Sequence, residues 1–163
     1  MNQKMKKIFF IVAIFATAFL QKNFAQDSTI QTQLSHLLTS YYGIKDALVA
    51  GNASDASASA EQFVKTANGI DYKVISEGNI NALVKDAAEI SETKDIKQQR
   101  EIFANFSANM FALAKAVKLT AQPVYEAYCP MKKAYWLSNE KVIKNPYFGN
   151  AMLICGSVKE TIQ

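Results

Sequence analysis

Residues 95–119 read DIKQQREIFANFSANMFALAKAVKL and carry the longest helical pattern of the chain. Apolar side chains recur there at intervals of three and four residues, which places them on one face of an α-helix. These residues are Phe103, Phe106, Met110, Leu113 and Val117, with Ile96 one heptad before Phe103. Asp95 is a favourable N-cap, because its carboxylate accepts hydrogen bonds from the free amides of a first helical turn. The stretch therefore predicts a long helix with one buried face.

The same spacing appears in three earlier segments. The apolar positions are Ile30, Leu34, Leu37, Tyr41, Ile44 and Leu48 in the first, Ala56, Ala60, Phe63 and Ala67 in the second, and Ile80, Leu83, Ala87 and Ile90 in the third. Together the four segments predict helices over about 28–50, 53–68, 79–91 and 95–119. The first three segments are separated by glycine–asparagine pairs, which favour helix stops and turns, namely Gly51-Asn52, Asn68-Gly69 and Gly78-Asn79. Because short links favour antiparallel neighbours, we predict an up-down four-helix bundle.

The composition changes at about residue 120. No Pro, Cys or Trp occurs from Asp27 to Leu119, whereas all three prolines, both cysteines and the only tryptophan come later. Proline interrupts helices, so residues 120–163 do not extend the last helix. We predict that they form an irregular appendage, rich in aromatic residues and cysteine, with a short strand or two and one helical turn near 147–153. The predicted fold class is all-α, with bundle and appendage in a single domain over 26–163.

The first 25 residues have the three parts of a secretory signal peptide. Lys4, Lys6 and Lys7 form a basic start, residues 8–20 are almost wholly apolar, and cleavage is expected after Ala25. The apolar run is shorter than the about 20 residues that a helix needs to cross a bilayer. We therefore expect a periplasmic or secreted protein that does not insert into a membrane after cleavage.

This segment also accounts for the excess of basic residues. The whole chain has 18 basic and 14 acidic residues, and residues 1–25 hold four of the lysines and no acid. Residues 26–163 thus carry 14 of each and no formal net charge. Because the mature chain has no excess of positive charge, we do not expect nucleic acid as a partner.

The residue patterns of common catalytic sites do not occur in the sequence. His36 is the only histidine, so the paired histidines of a zinc hydrolase cannot form. We interpret it as a solvated side chain beside the apolar face of the first helix. Asp86, Glu89 and Glu92 are interpreted as a solvated face of the third helix. The Ser and Thr residues lack a partner base, and we expect that the protein is not an enzyme.

Four sulfur atoms lie in the appendage, in Cys129-Pro130-Met131 and in Met152 to Cys155. A disulfide between Cys129 and Cys155 would close a loop of about 25 residues and contribute about 3 kcal/mol. The methionines would then be ordinary packing residues. Thiolate and thioether ligands together select Cu(I), so a soft-metal site is a second interpretation. Two free cysteines are the third.

Several segments resemble a family of exported proteins of unknown function from gram-negative bacteria. The resemblance rests on Tyr42 to Phe63, Gln98 to Phe103, Cys129-Pro130-Met131, Trp136-Leu137-Ser138, Asn145-Pro146-Tyr147-Phe148-Gly149 and Met152 to Gly156. Members of that family occur fused to periplasmic adaptor subunits of copper and silver efflux pumps. The resemblance therefore implies a role in handling heavy metals, with a metal-efflux adaptor or another envelope protein as partner.

Two functional hypotheses follow. In the first, the protein is a periplasmic binding module that holds copper, as Cu(I), with Cys129 and Cys155 as primary ligands and Met131 and Met152 as secondary ones. In the second, it is an interaction module without metal, stabilised by a disulfide between the cysteines. Its interaction surface would consist of aromatic side chains, namely Tyr135, Trp136, Tyr147 and Phe148. A carrier for a small apolar ligand in a cleft is a more distant alternative.

Overall fold

The computed structural model describes residues 29–70, residue 75 and residues 77–162. The predicted signal peptide, residues 1–25, lies outside this range. Four helices come first: α1 over the described residues 29–50, α2 Ala53–Asn68, α3 Glu77–Glu92 and α4 Ile96–Ala116. Within the described range, no helix has both the length and the apolar character to span a membrane.

Side chains cap the starts of α2 and α4, and the cap of α4 is the one that was predicted. The Asn52 side chain accepts hydrogen bonds from the amides of Ser54 and Asp55 at the start of α2. Asp95 caps α4 by accepting one from the amide of Lys97 at 2.8 Å. The end of α4 differs from the prediction, because Val117 adopts an extended conformation and the helix stops at Ala116.

Contacts between side chains give the direction of each helix. Three hydrogen bonds connect α1 with α4 and the residues just after it: Gln31 to the Lys118 carbonyl, Tyr41 to the Ser107 hydroxyl, and Arg100 to the Leu48 carbonyl. Residue numbers rise along α1 as they fall along α4, so these two helices run antiparallel. From α2 to α4, Ser57 meets Gln99 and Phe63 meets Phe106, so these two run parallel. From α3 to α4, Ile90 meets Gln99 and Asp86 meets Asn105, again antiparallel. The up-down arrangement is confirmed.

The predicted apolar faces form the core of the bundle. Every apolar position of α2 and α3 in the sequence pattern is buried, as are Phe103, Phe106, Met110 and Leu113 of α4. The interpretation of Asp86 as solvated is wrong, whereas Glu89, Glu92 and His36 are exposed. Asp86 is buried because its carboxylate accepts hydrogen bonds from the side-chain amides of Asn105 and Asn109 on α4.

The appendage is more regular than predicted, and the all-α class needs correction. It forms a three-stranded antiparallel sheet of β1 Val124–Cys129, β2 Ala134–Ser138 and β3 Ser157–Ile162, in the order β2-β1-β3. Each strand has only five or six residues, so its alternation is too short to stand out in the sequence. A 3₁₀ turn, Gly149–Ala151, lies within the predicted helical turn.

The segment between β2 and β3 is fastened to one end of the bundle. Arg100 of α4 donates hydrogen bonds to the carbonyls of Pro146 at 3.0 Å and Leu48 at 2.8 Å. Gly149 has a φ of 53°, and a Cβ there would lie 2.6 Å from the Arg100 guanidinium. The run Asn145-Pro146-Tyr147-Phe148-Gly149 therefore serves to hold the appendage on the helices.

Candidate functional site

The two cysteines meet where β1 ends and β3 begins. Cys129 is the last residue of β1, and Cys155 lies two residues before β3. Strand pairing sets Tyr128 opposite Ser157, which brings the neighbouring backbones of both cysteines together. Both are free thiols, Cys129 is fully buried, Cys155 is half-buried, and the two thiols are close enough that Cys129 raises the pKa of the Cys155 thiol.

Backbone amides of the turn after β1 are directed at both sulfur atoms. The amide of Lys132 lies 3.4 Å from Cys129 Sγ, and the amide of Met131 donates to the Cys155 sulfur. The turn is closed by a hydrogen bond from the Lys133 amide to the Cys129 carbonyl at 2.8 Å. Lys133 has a φ of 56°, a left-handed conformation that this tight turn requires.

Asn145 connects the two cysteine segments. Its side-chain amide donates to Cys129 Sγ at 3.1 Å and to the Cys155 carbonyl at 2.6 Å. Its Oδ1 accepts the amide of Tyr147 at 2.8 Å, so both ends of the fully buried side chain are used. Sequence reasoning had included Asn145 only in a motif. Its position between the two cysteines and directly before a proline was the sequence feature that could have pointed to this role.

The electrostatic environment distinguishes the two thiols. Partial burial and the contact with Cys129 raise the pKa of the Cys155 thiol, and the Met131 amide opposes this rise. The Cys129 thiol therefore makes ionisation of the Cys155 thiol less favourable.

The two methionines lie beside the thiol pair, with different exposure. The Met131 side chain is 64 % exposed, and what this residue contributes at Cys155 is its backbone amide. Met152 is half-buried, and its carbonyl accepts the amide of Cys155 at 3.0 Å. Within the residues that the structure describes, no group of three or more His, Cys, Asp or Glu side chains is placed to hold a metal ion.

The predicted aromatic interaction surface is largely internal. Trp136 is 1 % exposed and Tyr147 is also buried, whereas Phe148 is half-buried and Tyr135 is exposed. Tyr147 contacts the ring of Phe103 at 5.9 Å and that of Trp136 at 6.1 Å between centroids. Trp136 and Tyr147 therefore join the appendage to the bundle, and the fold does not offer them to a partner.

Comparison with known proteins locates the bundle in a family. The family model described as "Protein of unknown function (DUF3347)" matches residues 37–122, more than half of the 163-residue chain. The matched range runs from α1 to just before β1, so it does not include Cys129 or Cys155. No curated protein and no solved structure matches the chain.

Proposed function

The chain belongs to this family of unknown function, and we propose that it is an exported module that binds one Cu(I) ion through the thiolates of Cys129 and Cys155. The observation that carries the proposal is the contact between the two thiols, with amide donors directed at each sulfur. Export rests on the predicted signal peptide.

The ligand set favours Cu(I) over other metals. Thiolates are soft ligands that select Cu(I), whereas structural zinc needs four ligands and calcium needs six to eight oxygens. Among the residues that the structure describes, no third His, Asp or Glu joins the two thiols in a group that could hold a metal, and two thiols suit an ion that accepts two thiolates. Both thiol protons leave on binding, so the metal competes with protons for the site.

The surroundings of the thiols support the same function. Metal ligands are commonly oriented by hydrogen bonds from residues behind them. Asn145 and the Lys132 amide supply such bonds to Cys129, and the Met131 amide supplies one to Cys155. Met131 and Met152 flank the pair in the chain, and we propose them as secondary thioether ligands.

The resemblance to proteins fused to copper and silver efflux adaptors agrees with this assignment. A periplasmic adaptor of a metal-efflux pump, or another envelope protein, is the partner that we propose on that basis. A half-buried Cys155 gives such a partner access to the metal from one side, while Cys129 stays enclosed.

The competing function is an interaction module with a structural disulfide. The same thiol contact favours it, because oxidation would join the two sulfurs with loss of two protons and two electrons to an oxidant of the compartment. Its interaction surface would then depend on Tyr135 and Phe148, since Trp136 and Tyr147 are buried.

A competition titration decides between the two. Reduced protein, kept anaerobic, is expected to withdraw about one equivalent of Cu(I) from a chromophoric chelator. Cys129→Ser and Cys155→Ser should each abolish this uptake, whereas Ser157→Ala, next to the site and exposed, should retain it. Failure of the reduced wild-type protein to compete for Cu(I) would refute the proposal. A native intact mass that does not increase on alkylation would then support the disulfide.

A further inference from the structure

A groove of about 830 Å³ lies between α4 and the sheet, and its lining includes Ala134, the residue paired with Cys129 in the sheet. Ala104, Ala108 and Phe111 of α4 form its apolar wall. Glu126 of β1, Tyr135 of β2 and Glu160 of β3 form the opposite wall. The groove thus combines an apolar side with two carboxylates on the sheet and a third, Glu101, at its edge, a combination that neither the thiol site nor the bundle core uses.

Glu126 is the unusual residue of this groove. It is 7 % exposed as a residue, its carboxylate oxygens still reach the solvent of the groove, and it forms no ion pair within the described part of the chain. A carboxylate with so little contact with water normally has a partner, because burial weakens its solvation. An unpaired carboxylate in a groove wall indicates a place where a positively charged group would bind.

The charged neighbours of Glu126 also affect how well a positively charged group would bind there. Glu160 lies directly opposite Glu126 in the β1–β3 register, and like charges at such positions repel each other. Burial and the Glu160 carboxylate raise the pKa of Glu126, and Lys115 lowers it in part. Lys115 forms its ion pair with Glu160, so its ammonium group is already engaged.

The remaining cations of the groove do not neutralise Glu126 either. Lys159 places its ammonium 5.8 Å from the centre of the Tyr128 ring. Lys133 lies on the groove wall without an ion pair in the residues that the structure describes. Within the described residues, Glu126 therefore forms no ion pair of its own, and Lys115 attracts it only from its pair with Glu160.

We propose that this groove binds a small organic cation, a molecule with one primary ammonium group and an apolar body. The ammonium group donates hydrogen bonds to Glu126, and the apolar body lies along Ala108 and Phe111. An ammonium group supplies three donors and a full charge, which suits a carboxylate with free acceptor positions. A metal ion fits less well, because two carboxylates and an apolar wall do not supply its ligands.

Phenethylamine is a suitable probe, and 2-phenylethanol is its neutral counterpart. In a two-dimensional NMR titration of the reduced full-length mature protein, phenethylamine should shift the amides of Phe111, Glu126 and Tyr135. Glu126→Gln should weaken binding by about tenfold or more, because a charged hydrogen-bond partner is lost. Glu101→Gln, which removes an exposed carboxylate at the same groove, should change affinity far less.

A second variant tests the apolar wall of the groove independently of the Glu126 charge. Ala108→Leu keeps Glu126 but fills the apolar wall at an exposed helix position, so it should also weaken phenethylamine binding while the circular dichroism spectrum stays unchanged. The proposal is overturned if 2-phenylethanol binds as well as phenethylamine or if Glu126→Gln binds like wild type. Absence of shifts at millimolar phenethylamine, or shifts elsewhere on the molecule, would overturn it as well.

Discussion

The side-chain amide of Asn145 lies 3.1 Å from the sulfur of Cys129 and at the same time binds the carbonyl of Cys155. One buried residue thus holds the segments of both thiols in place. It also supplies a hydrogen-bond donor to the more enclosed sulfur. Asn145 is therefore the residue through which the fold controls the geometry of the proposed metal site.

Replacing Asn145 should weaken the proposed Cu(I) site. Asn145→Asp keeps the acceptor for the Tyr147 amide but removes both donors and sets a carboxylate beside the thiolates. Loss of such supporting bonds typically costs about 10- to 100-fold in metal affinity. Asn150→Asp, the same change at an exposed position nearby, is the control in the chelator competition. Equal Cu(I) affinity of Asn145→Asp and wild type would contradict this role.

Adding a side chain at Gly149 should destabilise the protein more than adding one at Gly51, although both glycines have a positive φ. A Cβ at Gly149 would lie 2.6 Å from Arg100 Nη2 and 2.8 Å from the Val49 carbonyl, whereas Gly51, with a φ of 74°, has open space. Gly51→Ala should cost about 1–2 kcal/mol from backbone strain alone. Gly149→Ala should lower the free energy of unfolding by more, measured by urea denaturation. Equal losses in the two variants would show that the contact with Arg100 is unimportant.

The buried carboxylate of Asp86 should contribute to stability. Asp86→Ala leaves the side-chain amides of Asn105 and Asn109 without their acceptor, so we expect a loss of about 1–3 kcal/mol. Glu92→Ala, an exposed acidic residue on the same helix, should be nearly neutral. Thermal melts followed by circular dichroism give the comparison. A melt of Asp86→Ala that matches Glu92→Ala would mean that the carboxylate is dispensable.

Large residues in the middle of the apolar faces should be the most sensitive core positions. Phe106→Ala and Leu37→Ala are each expected to destabilise the protein by roughly 2–5 kcal/mol, because both side chains are fully buried. The free energy of unfolding in urea measures the effect. Glu89→Ala on the exposed side of α3 is the control. If the urea midpoint of Phe106→Ala equals that of the wild-type protein, this assignment of the core is wrong.

The helical part of the fold was predictable because its signals are local. A helix repeats every 3.6 residues, so the spacing of Phe103, Phe106 and Met110 predicts that they lie on one face of a helix. Capping is equally local, and Asp95 caps α4 as its position before the apolar run predicted. Because the links between the helices are short, neighbouring helices must run antiparallel, and an up-down bundle buries all four apolar faces.

The sheet and the candidate sites depend on residues that are far apart in the chain. β1 pairs with β3 across about 30 residues, and that pairing brings the segment of Cys155 to Cys129. Asp86 was misread as solvated, because its partners, Asn105 and Asn109, belong to the next helix. The aromatic residues of the appendage were misread for the same reason, since Trp136 and Tyr147 are covered by segments distant in sequence.

The sequence by itself determined four helices, their buried faces, their caps and the point at which the bundle gives way to another kind of structure. Only the tertiary structure decided that the two thiols meet, that Asn145 joins their segments, and that Glu126 lies opposite Glu160 in the sheet. The physical reason is the range of the interactions involved. Helical periodicity and capping act within a few residues, whereas strand register and the burial of a charge depend on which distant segments come to lie side by side.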